Sequence, residues 1–229
     1  MSTYEEWNRL LVNYFLQGVP RGSKIYLNVD EDVLEQVGQC FSSSPLHGSW
    51  VDDFKVALRQ KVLTQEDQEV SLDILRNCNS LKVPNGVGFL SACVLAASQM
   101  ANEEDISELN YFKRLRKILG VKGSPRPKGM KTGAEEPLWL EWNRWLLKEG
   151  FQPSAYPGNG RQKYINYPIS QCLLRRADKD KLQHIFAEKH WDAQWDAQTL
   201  YVQVRREKQA LSTHLQNLLE DKRRHEAVV

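Results

Sequence analysis

"VPNGVGFLSACVLAASQM", residues 83–100, opens on a Pro-Asn-Gly turn and then carries small and apolar side chains on every side, with no charge anywhere in the run. A helix that is apolar around its whole circumference has no face to turn to water, so the stretch predicts a helix buried in the middle of a domain. The run Val87–Ser98 falls well short of the roughly 20 apolar residues that a membrane span needs. Its Gly-Val-Gly is not a phosphate loop, because no Gly-Lys-Ser/Thr follows and no strand leads in.

Helical patterns flank this centre on both sides. "SWVDDFKVALRQKV", residues 49–62, places Trp50, Phe54, Val56, Leu58 and Val62 near helical spacing, and "SLDILRNC", residues 71–78, continues with Leu72, Ile74 and Leu75. "ELNYFKRLRKILGV", residues 108–121, sets an apolar stripe of Leu109, Phe112, Leu115, Ile118 and Leu119 beside a basic one of Lys113, Arg114, Arg116 and Lys117. Gly120 is a suitable C-cap. The Pro, Gly and Lys of "KGSPRPKGMKTGAEEP", residues 122–137, read as an exposed loop or linker.

One phrase occurs twice. "EWNR" stands at 6–9 and at 141–144, each time followed by an apolar helical pattern, a Gly/Pro loop, and then "YLNV" at 26–29 or "YINY" at 164–167. Each copy therefore predicts helix, turn and short strand, with strands at 24–29 and 162–167, and a helix after each in "EDVLEQVG" and "ISQCLLRR". Trp7 and Trp142 are expected as equivalent core anchors. Asn8 and Asn143, poor interior helix formers, are expected to share a hydrogen bond to the strand or loop of their own unit.

"YPISQCLLRRADKDKLQHIFAEKHW", residues 167–191, allows two helices parted near Arg176–Asp178, with Asp178 as N-cap. A helix-turn-helix reading of it would bring Lys179, Lys181 and His184 to a groove, but it has neither a glycine turn nor a base-reading set of side chains. The tetrad repeat "WDAQWDAQ", residues 191–198, puts Trp191 and Trp195 on one helical face and Asp192 and Asp196 on the next. Beyond it, residues 200–225 are expected to form one amphipathic helix with a stripe of Leu200, Val204, Leu211, Leu215 and Leu218 that needs a partner surface. No stop signal appears before Val229, and more protein is expected beyond it.

The expected architecture is thus mainly α with small β elements. It comprises a helical unit at 1–121, a basic Pro/Gly linker at 122–136, a second unit at 137–198 repeating the EWNR motif, and the long helix at 199–229. With 41% hydrophobic and 26% charged residues among 229, the chain has the composition of a folded globular protein. Its start is acidic and resembles no targeting signal, so the cytoplasm is the expected compartment and no membrane contact is foreseen. Cys40, Cys78, Cys93 and Cys172 show no metal spacing and read as reduced thiols.

The net charge of +2 conceals a division: residues 1–110 carry 8 Lys/Arg against 16 Asp/Glu, and 111–229 carry 23 against 13. Such asymmetry suits attraction between the halves, or a basic half that meets an anion. Residues 111–131 hold eight basic residues and no acidic one. For nucleic acid, the candidate contacts are Lys113, Arg114, Arg116, Lys117, Lys122, Arg126, Lys128, Lys131, Lys179 and Lys181. The histidines, His47, His184, His190, His214 and His225, form no metal spacing, and no nucleophile elbow is present. No catalytic residue, metal site or cofactor is expected.

The succession "VPNGVGFLSACVLAASQM", "NYFKRLRKILGV", "PLWLEWNRWL" and "KYINYPISQCLLRRADKDKL" resembles the opening region of large, mainly uncharacterised bacterial proteins, some associated with anti-phage defence loci. That resemblance implies an accessory or sensing module in a larger machine and carries no active-site residues. The expected function is a non-enzymatic binding or scaffolding module that meets a protein partner or its own copy through the C-terminal helix. A nucleic-acid-binding module using the basic 111–131 run is the alternative.

Overall fold

The computed structural model describes residues 2–64, 68–76, 83–100, 106–157, 164–172, 176–188, 196–207, 211, 215, 216 and 219. Among them the chain is mainly helical, with one two-stranded sheet. The helices are α1 (Tyr4–Leu16), α2 (Glu31–Gly38), α3 (Trp50–Val62), α4 (Asp73–Arg76), α5 (Val87–Ser98), α6 (Glu108–Leu119), α7 (Glu136–Lys148), α8 (Asn166–Gln171), α9 (Arg176–Glu188) and α10 (Ala197–Arg206). The strands are β1 (Lys24–Ile25) and β2 (Gln152–Pro153), paired in parallel with Lys24 opposite Gln152. No helix among the described residues is long and apolar enough to cross a membrane.

The uncharged stretch is the centre of the molecule. Every residue of α5 is buried, and α1, α6, α7 and α8 surround it. α5 has no side-chain cap of its own, and α1 supplies one. Asn8 Oδ1 accepts from the Gly88 N–H at 2.9 Å and its Nδ2 donates to Pro84 O at 2.8 Å. The Tyr4 hydroxyl accepts from the Phe89 N–H at 3.2 Å and donates to Asn85 O at 2.7 Å. Two of the four N–H groups that a helix start leaves orphaned are thus satisfied inside the core, where leaving them unpaired would be costly. Gly88 is required for this approach, since a Cβ there would stand 2.8 Å from the Tyr4 ring.

Both EWNR segments lie in helices, α1 and α7, and both tryptophans are buried, Trp7 at 0% and Trp142 at 1% exposure. Their surroundings differ. Trp7 meets Phe41, Trp50 and Phe54 edge-on with centroids 5.0, 6.2 and 5.3 Å away, whereas Trp142 stacks on Trp145 at 5.4 Å. The shared asparagine bond holds only in part: Asn143 donates to Ala155 O at 2.6 Å, in the loop of its own unit, while Asn8 serves α5.

The strand expectation needs correction. The first strand covers 24–25 and not 24–29, and the second is at 152–153. Of the expected 162–167, residues 162 and 163 lie outside the described residues, Tyr164 and Ile165 form a turn, and α8 begins at Asn166. Tyr167 stacks on Trp139, with centroids 5.8 Å apart and planes 6° from parallel, so its aromatic bulk fills a helix interface. The sheet is tied to α8 by Gln171, whose Oε1 accepts from the Leu27 N–H at 3.1 Å and from the Ser154 hydroxyl at 2.9 Å.

The segment at 122–136 packs against the body. Arg126 lies over the Phe112 ring at 4.3 Å and pairs with Glu108 at 3.3 Å. The Val70 N–H donates to Lys128 O at 2.8 Å, and Pro127 and Met130 are buried. Buried apolar residues from 4 to 172, Met130 included, form one continuous cluster.

The C-terminal helix also needs correction. α10 ends at Arg206, Glu207 is a turn and Leu211 a bend, so 200–225 is not one helix. The Tyr201 hydroxyl donates to Leu219 O at 2.6 Å. A straight helix would set those residues about 27 Å apart at 1.5 Å per residue, so the chain doubles back. Val204, Leu211 and Leu215 are buried together with Ile185 of α9 and Leu219. Leu200 is 36% exposed, and Leu218 lies outside the described residues. Trp191, Asp192 and Trp195 also lie outside them, while Asp196 caps α10 by accepting from the Thr199 N–H at 2.7 Å. Asp178 is not an N-cap. It sits inside the first turn of α9, fully buried.

Candidate binding cleft

α6 forms because Ser107 caps it, accepting from the Asn110 N–H at 3.2 Å, and because Gly120 adopts φ 67° at its end. Its apolar face, Phe112, Leu115, Ile118 and Leu119, is buried, and Tyr111 is buried with it. Helical spacing then places Lys113, Arg114 and Lys117 on the other face. Arg59 of α3 secures the end of this helix, donating to Ile118 O at 2.9 Å and to Lys117 O at 3.3 Å.

The N-terminus of α2 lines the same space as this basic face, capped by Asp30, which accepts from the Val33 N–H at 3.0 Å. Asp30, Glu31 and Asp32 favour this helix start because they complement its dipole. α9 closes the same side with Lys179, Asp180 and Gln183, and Leu95, Ser98 and Gln99 at the end of α5 make the floor. The enclosed space is a half-open cleft of about 720 Å³.

Lys179 spans the acidic wall, 2.5 Å from Asp30 and 3.1 Å from Asp32. Partial burial pulls its ammonium pKa down, but the bonds to the two carboxylates outweigh this and leave it raised. Glu31 accepts from the Gln99 amide at 3.1 Å. Since Lys179 is about a third exposed, Lys179→Met is expected to lower stability by less than roughly 1 kcal/mol. Urea titration measures this; a loss of several kcal/mol would make the pair a principal tie of α9.

Of the ten basic candidates, the cleft gathers Lys113, Arg114, Lys117 and Lys179. Arg116, Lys122, Arg126, Lys128, Lys131 and Lys181 do not line it. Arg126 is committed to Glu108 and Phe112, and Lys128 pairs with Glu69 at 2.9 Å. Lys122, Lys131 and Lys181 are exposed elsewhere. The division of charge along the chain is therefore expressed partly as pairing between its halves: Lys179, Arg126 and Lys128 meet Asp30, Asp32, Glu108 and Glu69.

A second polar feature is internal. Glu135, just before α7, is 1% exposed, and neither carboxyl oxygen has a hydrogen-bond partner among the described residues. Burial raises its pKa, its own backbone N–H and then the Arg126 charge oppose this, and Glu136 and Glu108 add to it. The Cys93 thiol and Tyr111 hydroxyl lie within its field, and burial pushes both of their pKa values up. Such thiol and phenol groups stay protonated and are poor nucleophiles. Among the described residues no group of three or more metal-ligating side chains converges, and Cys40, Cys93 and Cys172 are free thiols.

Compared with known proteins, the chain matches no family model, no curated protein and no solved structure.

Proposed function

We propose that this chain is a non-catalytic binding module, an accessory part of a larger bacterial assembly, and that it meets its protein partner at the cleft between α2, α6 and α9. One observation carries the reading: Lys113, Arg114 and Lys117 of α6 and Asp30, Glu31, Asp32 and Asp180 of α2 and α9 line the same open space. Charges of both signs around one open space suit a recognition surface, giving register and selectivity more than raw affinity. The C-terminal stripe suits this role less well, because Val204, Leu211 and Leu215 are already covered by their own chain.

The test is retention of a native partner on the immobilised full chain, compared with a Lys113→Glu/Lys117→Glu variant. Both lysines are exposed on α6, so the variant should keep its stability within the range of ordinary surface changes, about 0.5 kcal/mol. Loss of one defined protein from the variant is the expected result. An unchanged set of retained proteins would remove the cleft from the reading.

A nucleic-acid reading is favoured by a separate observation, the exposure of Lys113, Lys117, Lys122 and Lys131. Under it, replacing these lysines by Gln would weaken duplex binding and flatten its salt dependence by about one unit of slope for each phosphate no longer neutralised. Nuclease treatment before capture separates the two readings.

A further inference from the structure

The chemistry of the cleft narrows what can fill it. Ligand pockets for small organic molecules are lined mostly by apolar and aromatic side chains, but among the described residues Leu95 is the one apolar residue of the lining and no aromatic ring contributes. A polyanion is disfavoured as well. A phosphate bound in a cleft of about 720 Å³ would share that space with the carboxylates of Asp30, Glu31, Asp32 and Asp180, which line it too, and like charges brought together at a binding surface repel. Lys179 neutralises part of that charge by bridging Asp30 and Asp32, but Glu31 and Asp180 remain in the lining. A polycation meets the converse obstacle at α6.

We propose that the cleft receives a polypeptide segment carrying both signs of charge, with its acidic side chains toward Lys113, Arg114 and Lys117 and its basic ones toward Glu31 and Asp180. The proposal rests on the binding-module reading and specifies the occupant. The amides of Asn110, Gln99 and Gln183 also line the space, and they can bond either the peptide backbone or uncharged polar side chains because amides both donate and accept. The half-open form admits a chain that continues past the cleft at either end.

Fluorescence anisotropy with the full chain tests this against equal-length labelled probes: a peptide alternating Glu and Lys by helical turn, a Glu/Gln peptide, a Lys/Gln peptide and a DNA duplex. The mixed peptide should bind about tenfold tighter than either single-sign peptide or the duplex. Lys113→Glu/Lys117→Glu should cancel that preference and turn it toward the Lys/Gln peptide, and Asp180→Lys should turn it toward the Glu/Gln peptide. Melting curves check folding, with Lys113→Gln/Lys117→Gln as the milder pair. If the Glu/Gln peptide or the duplex binds as tightly as the mixed peptide, and the lysine variants weaken it, the mixed-charge proposal is overturned while the cleft remains a binding site. If no probe responds to the cleft variants, both fall.

Discussion

Trp7→Ala is expected to destabilise the protein by about 3–5 kcal/mol, the range for emptying an aromatic site in a packed core. Trp7 is fully buried and lies edge-on to Phe41, Trp50 and Phe54, while its indole N–H donates to Ser2 Oγ at 3.2 Å. These edge-on pairs each add about 0.5–1.5 kcal/mol beyond area burial. The site has little means of collapsing. α2 and α3 are already locked face to face, because Gly38 lies so close to Trp50 that a Cβ there would stand 2.1 Å from its ring. At about 2–4 °C per kcal/mol for a chain of this size, the midpoint should fall by about 6–20 °C. Leu147→Ala, on the outer face of α7 and 60% exposed, should stay within about 0.5 kcal/mol. Calorimetry of both variants decides it. A Trp7 loss below about 1 kcal/mol would mean that the aromatic cluster stands outside the cooperative core.

The central helix was legible because its signal is local: a stretch without charge can only be placed inside. So was α6, where apolar and basic stripes alternate at helical spacing before a glycine C-cap. The strands were not. β1 and β2 are two residues each, too short for a period-2 pattern, and β2 includes Pro153, which argues against a strand when read locally. "YINY" looked more strand-like, but Tyr167 finds its burial by stacking on Trp139, a contact between distant parts of the chain. The C-terminal stripe named Val204, Leu211 and Leu215 as apolar partners, and these are buried together. The turn at Glu207 carries neither Gly nor Pro, so nothing in the local pattern showed that the helix would stop and the chain fold back onto Tyr201.

The candidate site was half legible for the same reason. The run 111–131 supplies the basic wall, and its charge is plain in the sequence. The acidic part of the same lining comes from Asp30–Asp32, far away along the chain, where three acids in a row read only as a well-capped helix start. That Lys179 bridges Asp30 and Asp32 depends on how α9 returns to α2, and no spacing rule encodes such a return. Glu135 escaped because "AEEP" has the look of an exposed helix start. Its burial is imposed by the helices around it.

Glu135→Gln is expected to stabilise the protein near neutral pH, because a buried carboxyl must either ionise away from water or hold its proton against the pH, whereas the amide carries no charge. The substitution keeps the shape and removes only the charge, and it sacrifices no cap, since the Glu135 side chain makes no capping bond to α7. The pH dependence follows from the raised pKa of Glu135 relative to its ordinary 4.5. The folded state holds the proton more tightly than the unfolded one, so its stability is present in full below pH 4.5 and is lost as pH rises through the folded value. The advantage of Glu135→Gln should therefore be small in acid and grow toward neutrality. Glu108 and Glu136 reinforce the shift, Arg126 opposes it, and the Cys93 and Tyr111 protons stay in place over this window. Thermal melts of the wild type and the variant across the acid-to-neutral range measure the difference. If Glu135→Gln is the less stable protein at neutral pH, the carboxyl is ionised in the fold and Arg126 is its counter-charge, held between Glu135 and Glu108. In that case the wild type, not the variant, would gain stability as pH rises, since a carboxylate held by a neighbouring cation titrates below its ordinary range.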